Sequence, residues 1–257
     1  MARYDFRTPR LYVTARLASG SAVPLDAAQT HYLVDVLRLT TGDPVLIFNG
    51  IDGEWKATLG SARRRAAELI AGTITRPQTA PGNVHYLFSP LKRARLDYVV
   101  QKAVEMGASR LQPVMMRHTQ AERVNLDRMA ANAIEAAEQC GILALPEIMP
   151  PLDFAAAIAA ISPGRHLVFC DEDAPCTDPI ATLRAAVAAN GGDGIAVLIG
   201  PEGGFADEER AALLKRPKLS RIALGPRILR ADTAAVAALA IVQAAIGDWR
   251  QEHDKHG

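Results

Sequence analysis

Over the first seventy or so residues, apolar positions come in short runs broken by polar punctuation, the pattern of strands. Residues 45–49 and 54–59 flank Gly50-Ile51-Asp52-Gly53, whose glycines and aspartate suit a hairpin turn, and residues 67–75 supply a further strand. One short helix interrupts them. Asp26 followed by Gln29 has the spacing of a capping box, and the stretch from His31 to Arg38 places Leu33, Val36 and Leu37 on a common side. The pattern predicts a small β-barrel with one helix.

Residues 75–83 then break the periodicity with Pro77, Pro81 and Gly82, as a linker does, which divides the chain into domains of 1–74 and 75–257. Beyond the break, apolar runs at 84–88, 111–116, 166–170, 195–199 and 222–224 alternate with helical patterns, which predicts an α/β domain with a parallel sheet covered by helices. Leu96, Val99, Val100, Ala103 and Val104 form one apolar helix face, with Arg95 and Lys102 on its flank. The last helix, 233–246, carries Val236, Leu239, Ala240, Ile241 and Val242 on nearly every side. It is expected to be buried all round, in the core or against a second copy of the chain.

With 257 residues, 49% of them hydrophobic, there is material for two cores, while no apolar run approaches the ~18 residues of a membrane span. The start, Met1-Ala2-Arg3-Tyr4, lacks a secretory signal, so a cytoplasmic protein is expected. Cys140, Cys170 and Cys176 have no metal-ligand spacing and read as buried reduced thiols. A net charge of +1 decides nothing, but its distribution does. Arg3, Arg7, Arg10 and Arg16 crowd the N-terminus, Arg63, Arg64 and Arg65 form a run, and Lys92, Arg93 and Arg95 form another. Together they point to a phosphate-facing surface.

In a parallel sheet, ligands bind beyond the carboxyl ends of the strands. Two exits stand out: 195–199 runs into Gly200-Pro201-Glu202-Gly203-Gly204-Phe205, and 221–224 runs into Gly225-Pro226-Arg227-Ile228-Leu229-Arg230. Neither has the spacing of a dinucleotide fingerprint or a P-loop. Asp232 or Thr233 suits the cap of the last helix. Arg230 stands between the glycine turn and that cap, at the ligand-facing edge. Glu202 reads either as a turn residue or as an acceptor of backbone N–H groups that orders its loop.

In sequence order, five blocks resemble the RsmE family of 16S rRNA uridine N3-methyltransferases. They are 31–38 ending Val36-Leu37-Arg38; 101–107 with Pro113; Glu138-Gln139-Cys140 with Pro146; 199–204; and 224–230 followed by Asp232-Thr233-Ala234. The resemblance covers nearly the whole chain. It implies a PUA-like N-terminal RNA-binding domain, a C-terminal SPOUT methyltransferase domain whose chain threads a trefoil knot, and a homodimer. It also implies S-adenosylmethionine held by Ile199, Gly200, Pro201, Gly203, Gly204, Leu224, Gly225, Ile228, Leu229 and Ala234. RNA would meet Arg3, Arg7, Arg10, Arg38, Lys92, Arg93 and Arg95. The implied substrate is 16S rRNA, within the small ribosomal subunit, at N3 of a uridine that is conventionally uridine 1498.

For the chemistry, Arg230 is the candidate for stabilising charge on the base, and Asp232 or Glu202 for taking the proton. No metal is implied, because the sulfonium is already activated. The alternatives are a SPOUT enzyme acting on another RNA position, such as a ribose hydroxyl or a tRNA base, and a non-catalytic RNA-binding or ribosome-assembly protein. Two departures from the family stand out: Gly141-Ile142-Leu143 follows Glu138-Gln139-Cys140 where an arginine is usual, and Arg230-Ala231-Asp232-Thr233 replaces Arg-Thr-Glu-Thr.

Overall fold

The computed structural model describes residues 5, 7–63, 66–175, 178–190 and 193–250; Arg3, Arg64, Arg65 and Cys176 lie outside the described residues. Two units emerge, Met1–Ala80 with Ala137–Leu145, and Pro81–Ala136 with Pro146–Gly257.

The first unit is a five-stranded sheet in the order β1-β3-β4-β5-β2. Its elements are β1 (Arg10–Tyr12), β2 (Ala22–Pro24), α1 (Ala27–Thr30), a π-helical turn (His31–Val36), β3 (Pro44–Phe48), β4 (Glu54–Arg63) and β5 (Ala66–Arg76). β1 and β3 are parallel, and the remaining pairings are antiparallel. Alternation decides the buried face: Ala67, Leu69 and Ala71 of β5 point inward and join Val23, Leu33, Val45, Ile47 and Leu59 in one core. The turn between β3 and β4 is held by Asn49, whose Oδ1 accepts the N–H groups of Ile51 (3.0 Å) and Asp52 (2.8 Å).

The capping box forms. Gln29 N–H donates to Asp26 Oδ1 at 2.8 Å, and Asp26 N–H donates to Gln29 Oε1 at 3.1 Å. After α1 the helix widens, with Leu37 N–H reaching back five residues to Tyr32 O at 2.9 Å. This corrects the sequence expectation for Val36. A wider turn carries position i+3 off the face of Leu33, so Leu33 is fully buried while Val36 is 57% exposed.

Arg10 is a second correction. It does not face solvent for RNA: its side chain is buried, with Nε 2.7 Å from Glu54 Oε2 and Nη1 3.2 Å from Glu138 O. Glu54 also accepts from Arg76 and Thr75, and so binds three partners. Charge at position 10 serves a buried network, which a count of N-terminal arginines does not reveal.

The second unit is a parallel sheet in the order β12-β10-β11-β6-β7-β8, with β9 on β7. Its elements are β6 (Val84–Phe88), α2 (Ala94–Glu105), β7 (Ala108–Met115), α3 (Leu126–Cys140), β8 (Glu147–Ile148), β9 (Leu152–Asp153), α4 (Phe154–Ala159), β10 (His166–Cys170), α5 (Pro179–Asn190), β11 (Ile195–Ile199), α6 (Asp207–Leu213), β12 (Leu219–Ile222) and α7 (Ala231–Ile246). Every residue of β11 is buried, as a central strand covered on both faces requires. All five apolar positions of α2 are buried. α3 stops at Gly141 (φ 67), where Ile142 N–H reaches Ala137 O at 3.0 Å.

Three further expectations are corrected. β12 covers Leu219–Ile222, not 222–224, because its partner β10 ends at Cys170, opposite Ile222, and Ala223 and Leu224 already belong to the loop. α7 starts two residues earlier than expected, so Arg230 is its N-cap and Asp232 and Thr233 lie within its first turn. Ala231, Ala235, Ala238, Leu239 and Val242 of α7 are buried, but Val236 and Ile241 are only half-buried in the single chain. Cys140 is exposed rather than buried: it is the last residue of α3, where the helix runs out beyond the turns packed through Ala136 and Ala137.

Candidate active site

The exits of β10, β11 and β12 and the first turn of α7 enclose a cleft of about 580 Å³. It brings together Ile199, Gly200, Pro201, Glu202, Gly203, Gly204, Leu224, Gly225, Ile228, Leu229 and Ala234. Two loops whose first glycines, Gly200 and Gly225, lie 25 residues apart in the chain thus line one site, as the parallel topology dictates.

The glycines serve different ends. At Gly200, a Cβ would overlap the ring of Phe205, which packs edge-on against Phe169 with centroids 4.8 Å apart. The loop can fold back over the sheet only if position 200 has no side chain. Gly225 has open space around it but φ +96, a backbone that other residues rarely adopt.

Charge beneath the cleft is organised by Asp171, on the β10 exit that sequence reasoning passed over. Its buried carboxylate is bonded by Arg221 (Nε 2.9 Å) and by Arg210, whose Nη1 also reaches Asp173 at 2.6 Å. Position alone was the available signal, since Asp171 follows a buried strand directly, as Gly200 does. The Cys170 thiol beside it is pushed up to about 12 by burial and by the Asp171 charge, so it stays protonated at neutral pH.

Glu202 accepts no backbone N–H among the described residues; it pairs with Arg95 at the start of α2, with Arg95 Nη2 3.4 Å from Glu202 Oε2. The loop is ordered instead by Glu209, also missed, whose buried carboxylate accepts the N–H groups of Ala206 (3.0 Å) and Arg117 (2.9 Å). Asp232 Oδ1 accepts Thr233 N–H at 2.9 Å. Arg230 is exposed, and among the described residues its side chain makes no capping bond. Lys92 and Arg93 are exposed beside Arg95, and Arg93 sits at φ 34, a strained backbone for a non-glycine residue. In the first unit, Arg7 and Arg38 are exposed, Arg38 at φ 58.

The cleft fits an adenosine-containing ligand. Ile228 at its rim is 93% exposed, an apolar surface without a partner. Among the described residues, the backbone from Ala223 to Leu229 makes no backbone–backbone hydrogen bond, so its N–H and C=O groups are available beside Leu224 and Ile199. Apolar walls with a few backbone hydrogen-bonding groups suit a flat heterocycle with polar edges.

Residues 78–243 match the RNA methyltransferase domain family, and residues 25–71 match the RNA methyltransferase PUA domain. The chain is 29% identical to ribosomal RNA small subunit methyltransferase E of Rickettsia conorii, over 91% of this chain and 94% of that protein. It is 30% identical to the protein of the same name from Synechocystis, over 91% of this chain and 77% of that protein. Among solved structures, a ribosomal RNA small subunit methyltransferase E from Neisseria gonorrhoeae bound to S-adenosyl methionine superposes with a TM-score of 0.83 at 26% identity, covering 95% of this chain and all of that one.

Proposed function

Because the chain belongs to the RNA methyltransferase family, with a PUA domain ahead of its catalytic domain, we propose that it methylates N3 of a specific uridine in 16S rRNA, uridine 1498 in the family's convention, using S-adenosylmethionine. The observation that carries this reading is the cleft itself. Three strand exits converge on free backbone groups and an unpartnered Ile228, in the part of the chain that matches the methyltransferase family.

Ile199, Gly200, Pro201, Gly203, Gly204, Leu224, Gly225, Ile228, Leu229 and Ala234 would hold the cofactor, through backbone groups and apolar contact. When bound, the cofactor supplies an electrophilic methyl group on a sulfonium. The protein's own task is to position the base and stabilise the charge that develops when its imino proton leaves. Arg230, exposed at the start of α7 and unspent on capping, is placed to stabilise that charge. Asp232 lies two residues on in the same turn, and Glu202 anchors Arg95 at the cleft's edge. Arg7, Arg38, Lys92 and Arg93 are the exposed cations left to meet RNA phosphates, with Arg95 at the margin.

The half-buried apolar side chains of α7, with Tyr98 (44% exposed) and Trp249 (54% exposed), support a homodimer. No helix among the described residues is long and apolar enough to cross a membrane.

The test is transfer of labelled methyl from S-adenosylmethionine to undermethylated small subunits and, separately, to free 16S rRNA, with mass spectrometry of the digested nucleosides. 3-Methyluridine is the expected product. A different methylated nucleoside reassigns the target, and no cofactor binding at all overturns the reading.

A further inference from the structure

His118 leaves β7 on the loop that runs beside the cleft, and its Nδ1 lies 3.1 Å from the carbonyl oxygen of Gly204. A carbonyl oxygen only accepts, so the proton of that bond is on Nδ1, and Nε2 of the neutral ring carries a lone pair. Among the described residues nothing bonds Nε2, and His118 is exposed.

The ring is also held in place. A Cβ at Gly203 would come within 3.1 Å of His118 Cβ, so the imidazole packs against the glycine turn. On one side of it, Arg117 N–H donates to Glu209 Oε1 at 2.9 Å. On the other, Thr119 Oγ1 accepts Met116 N–H at 2.8 Å and bonds Ser89 Oγ at 2.9 Å. With its loop anchored on both sides and Nδ1 engaged by Gly204 O, the imidazole presents Nε2 for proton transfer.

His118 shares a small depression with Ser89, Lys92, Arg95, Gln120, Pro201 and Glu202, and the last two also line the cofactor cleft. The charged groups around it are Lys92 and Arg95 from the β6 exit and α2, Glu202 from the β11 exit, Arg117 from its own loop, and Glu172, which approaches Gly204 from the β10 exit. The carboxylates nearest in role are engaged, Glu202 with Arg95 and Asp232 with the backbone of Thr233.

We propose that His118 Nε2 accepts the N3 proton of the target uridine, an inference that rests on the function proposed above. As the proton moves to Nε2, the nitrogen's electron pair forms the bond to the methyl carbon. The carbon–sulfur bond breaks with its pair on sulfur, and the proton then passes from the imidazolium to water.

The test compares wild type with His118→Gln, whose amide keeps a donor toward Gly204 O, and His118→Ala. In His118→Gln, kcat is expected to fall about 10²- to 10⁴-fold, with S-adenosylmethionine affinity and KM for the subunit within about twofold of wild type. Added imidazole restores part of the activity of His118→Ala. Nitrogen-15 spectra of histidine-labelled wild type report the proton on Nδ1, independently of turnover. An unchanged kcat, a loss without imidazole rescue, or a proton on Nε2 overturns the inference. Wild type that binds no S-adenosylmethionine overturns the proposed function and this inference together, whereas active wild type with an equally active His118→Gln overturns this inference alone.

Discussion

Asp171 receives Arg221 side-on, with Nε at 2.9 Å and Nη2 at 2.7 Å from the same carboxylate oxygen, while Arg210 takes the other oxygen. The carboxylate is 1% exposed and the two guanidinium groups about a quarter exposed, so one buried charge holds two arginines at the floor of the cleft. Asp171→Ala leaves those arginines facing each other, and a loss of about 2–3 kcal/mol is expected by denaturant unfolding. Asp171→Asn, which keeps the shape but not the charge, should lose nearly as much; a loss below about 0.5 kcal/mol for both would show the network to be a surface ornament.

The two cleft glycines should fail differently. Gly200→Ala pushes Phe205 off Phe169, and a destabilisation of about 2 kcal/mol is expected, as for an overpacked core. Gly225→Ala has room for its methyl but must hold φ +96, which costs about 1 kcal/mol and places a methyl in the cleft. Calorimetric titration with S-adenosylmethionine should therefore find Gly225→Ala the poorer binder for its stability. Equal affinity in wild type and Gly225→Ala would move the ligand away from that loop.

Arg230→Ala removes an exposed side chain that makes no capping bond, so α7 and cofactor affinity should persist while kcat falls at least tenfold. Unchanged turnover would take Arg230 out of the mechanism.

Acid should weaken the first unit through Glu54. Burial alone raises its pKa, but hydrogen bonds from Arg76, Arg10 and Thr75 outweigh that and hold it below 4.5. With the folded value below the unfolded one, the stabilisation is present above the unfolded pKa and is lost as pH falls through the folded pKa. Unfolding free energy measured between pH 6 and 3 (values chosen to span about the carboxylate range) should drop toward acid, and Glu54→Gln should flatten that part of the slope.

The cysteines offer a simple check on burial. Iodoacetamide near neutral pH should modify exposed Cys140 first, whereas Cys170, with its thiol pushed up to about 12 by burial and Asp171, should react far more slowly. Peptide mapping that finds Cys170 labelled as fast as Cys140 would contradict that ordering of the two thiols.

Local rules carried far along this chain, and they failed where the deciding partner was remote. The hairpin turn, the capping box of Asp26 and Gln29, the apolar face of α2 and the strands of the parallel sheet each depend on neighbours within a few residues, so spacing alone exposes them. Arg10 was misread because its partner, Glu54, lies forty-four residues away on another strand. Val36 was misread because a helix of wider pitch looks identical in sequence to an α-helix for six residues. In the cleft, the glycines stood out by composition, whereas Asp171, Glu209 and His118 did not, since a lone acid or imidazole gains meaning only from what faces it.

The make-up of the first unit bears on how the molecule is born. Residues 137–145 belong with 1–80, and Glu138 there accepts Tyr12 N–H at 2.8 Å and an Arg10 nitrogen through its carbonyl. On the ribosome, a nascent chain of eighty residues therefore holds β1 without its last partners, and Arg10 must wait until some sixty more residues have emerged. Synthesis at roughly 5–20 residues per second makes that a wait of seconds. An enzyme for ribosomal RNA would thus complete its N-terminal unit only after the first elements of its catalytic domain have been made, and before the strands that build the cleft exist.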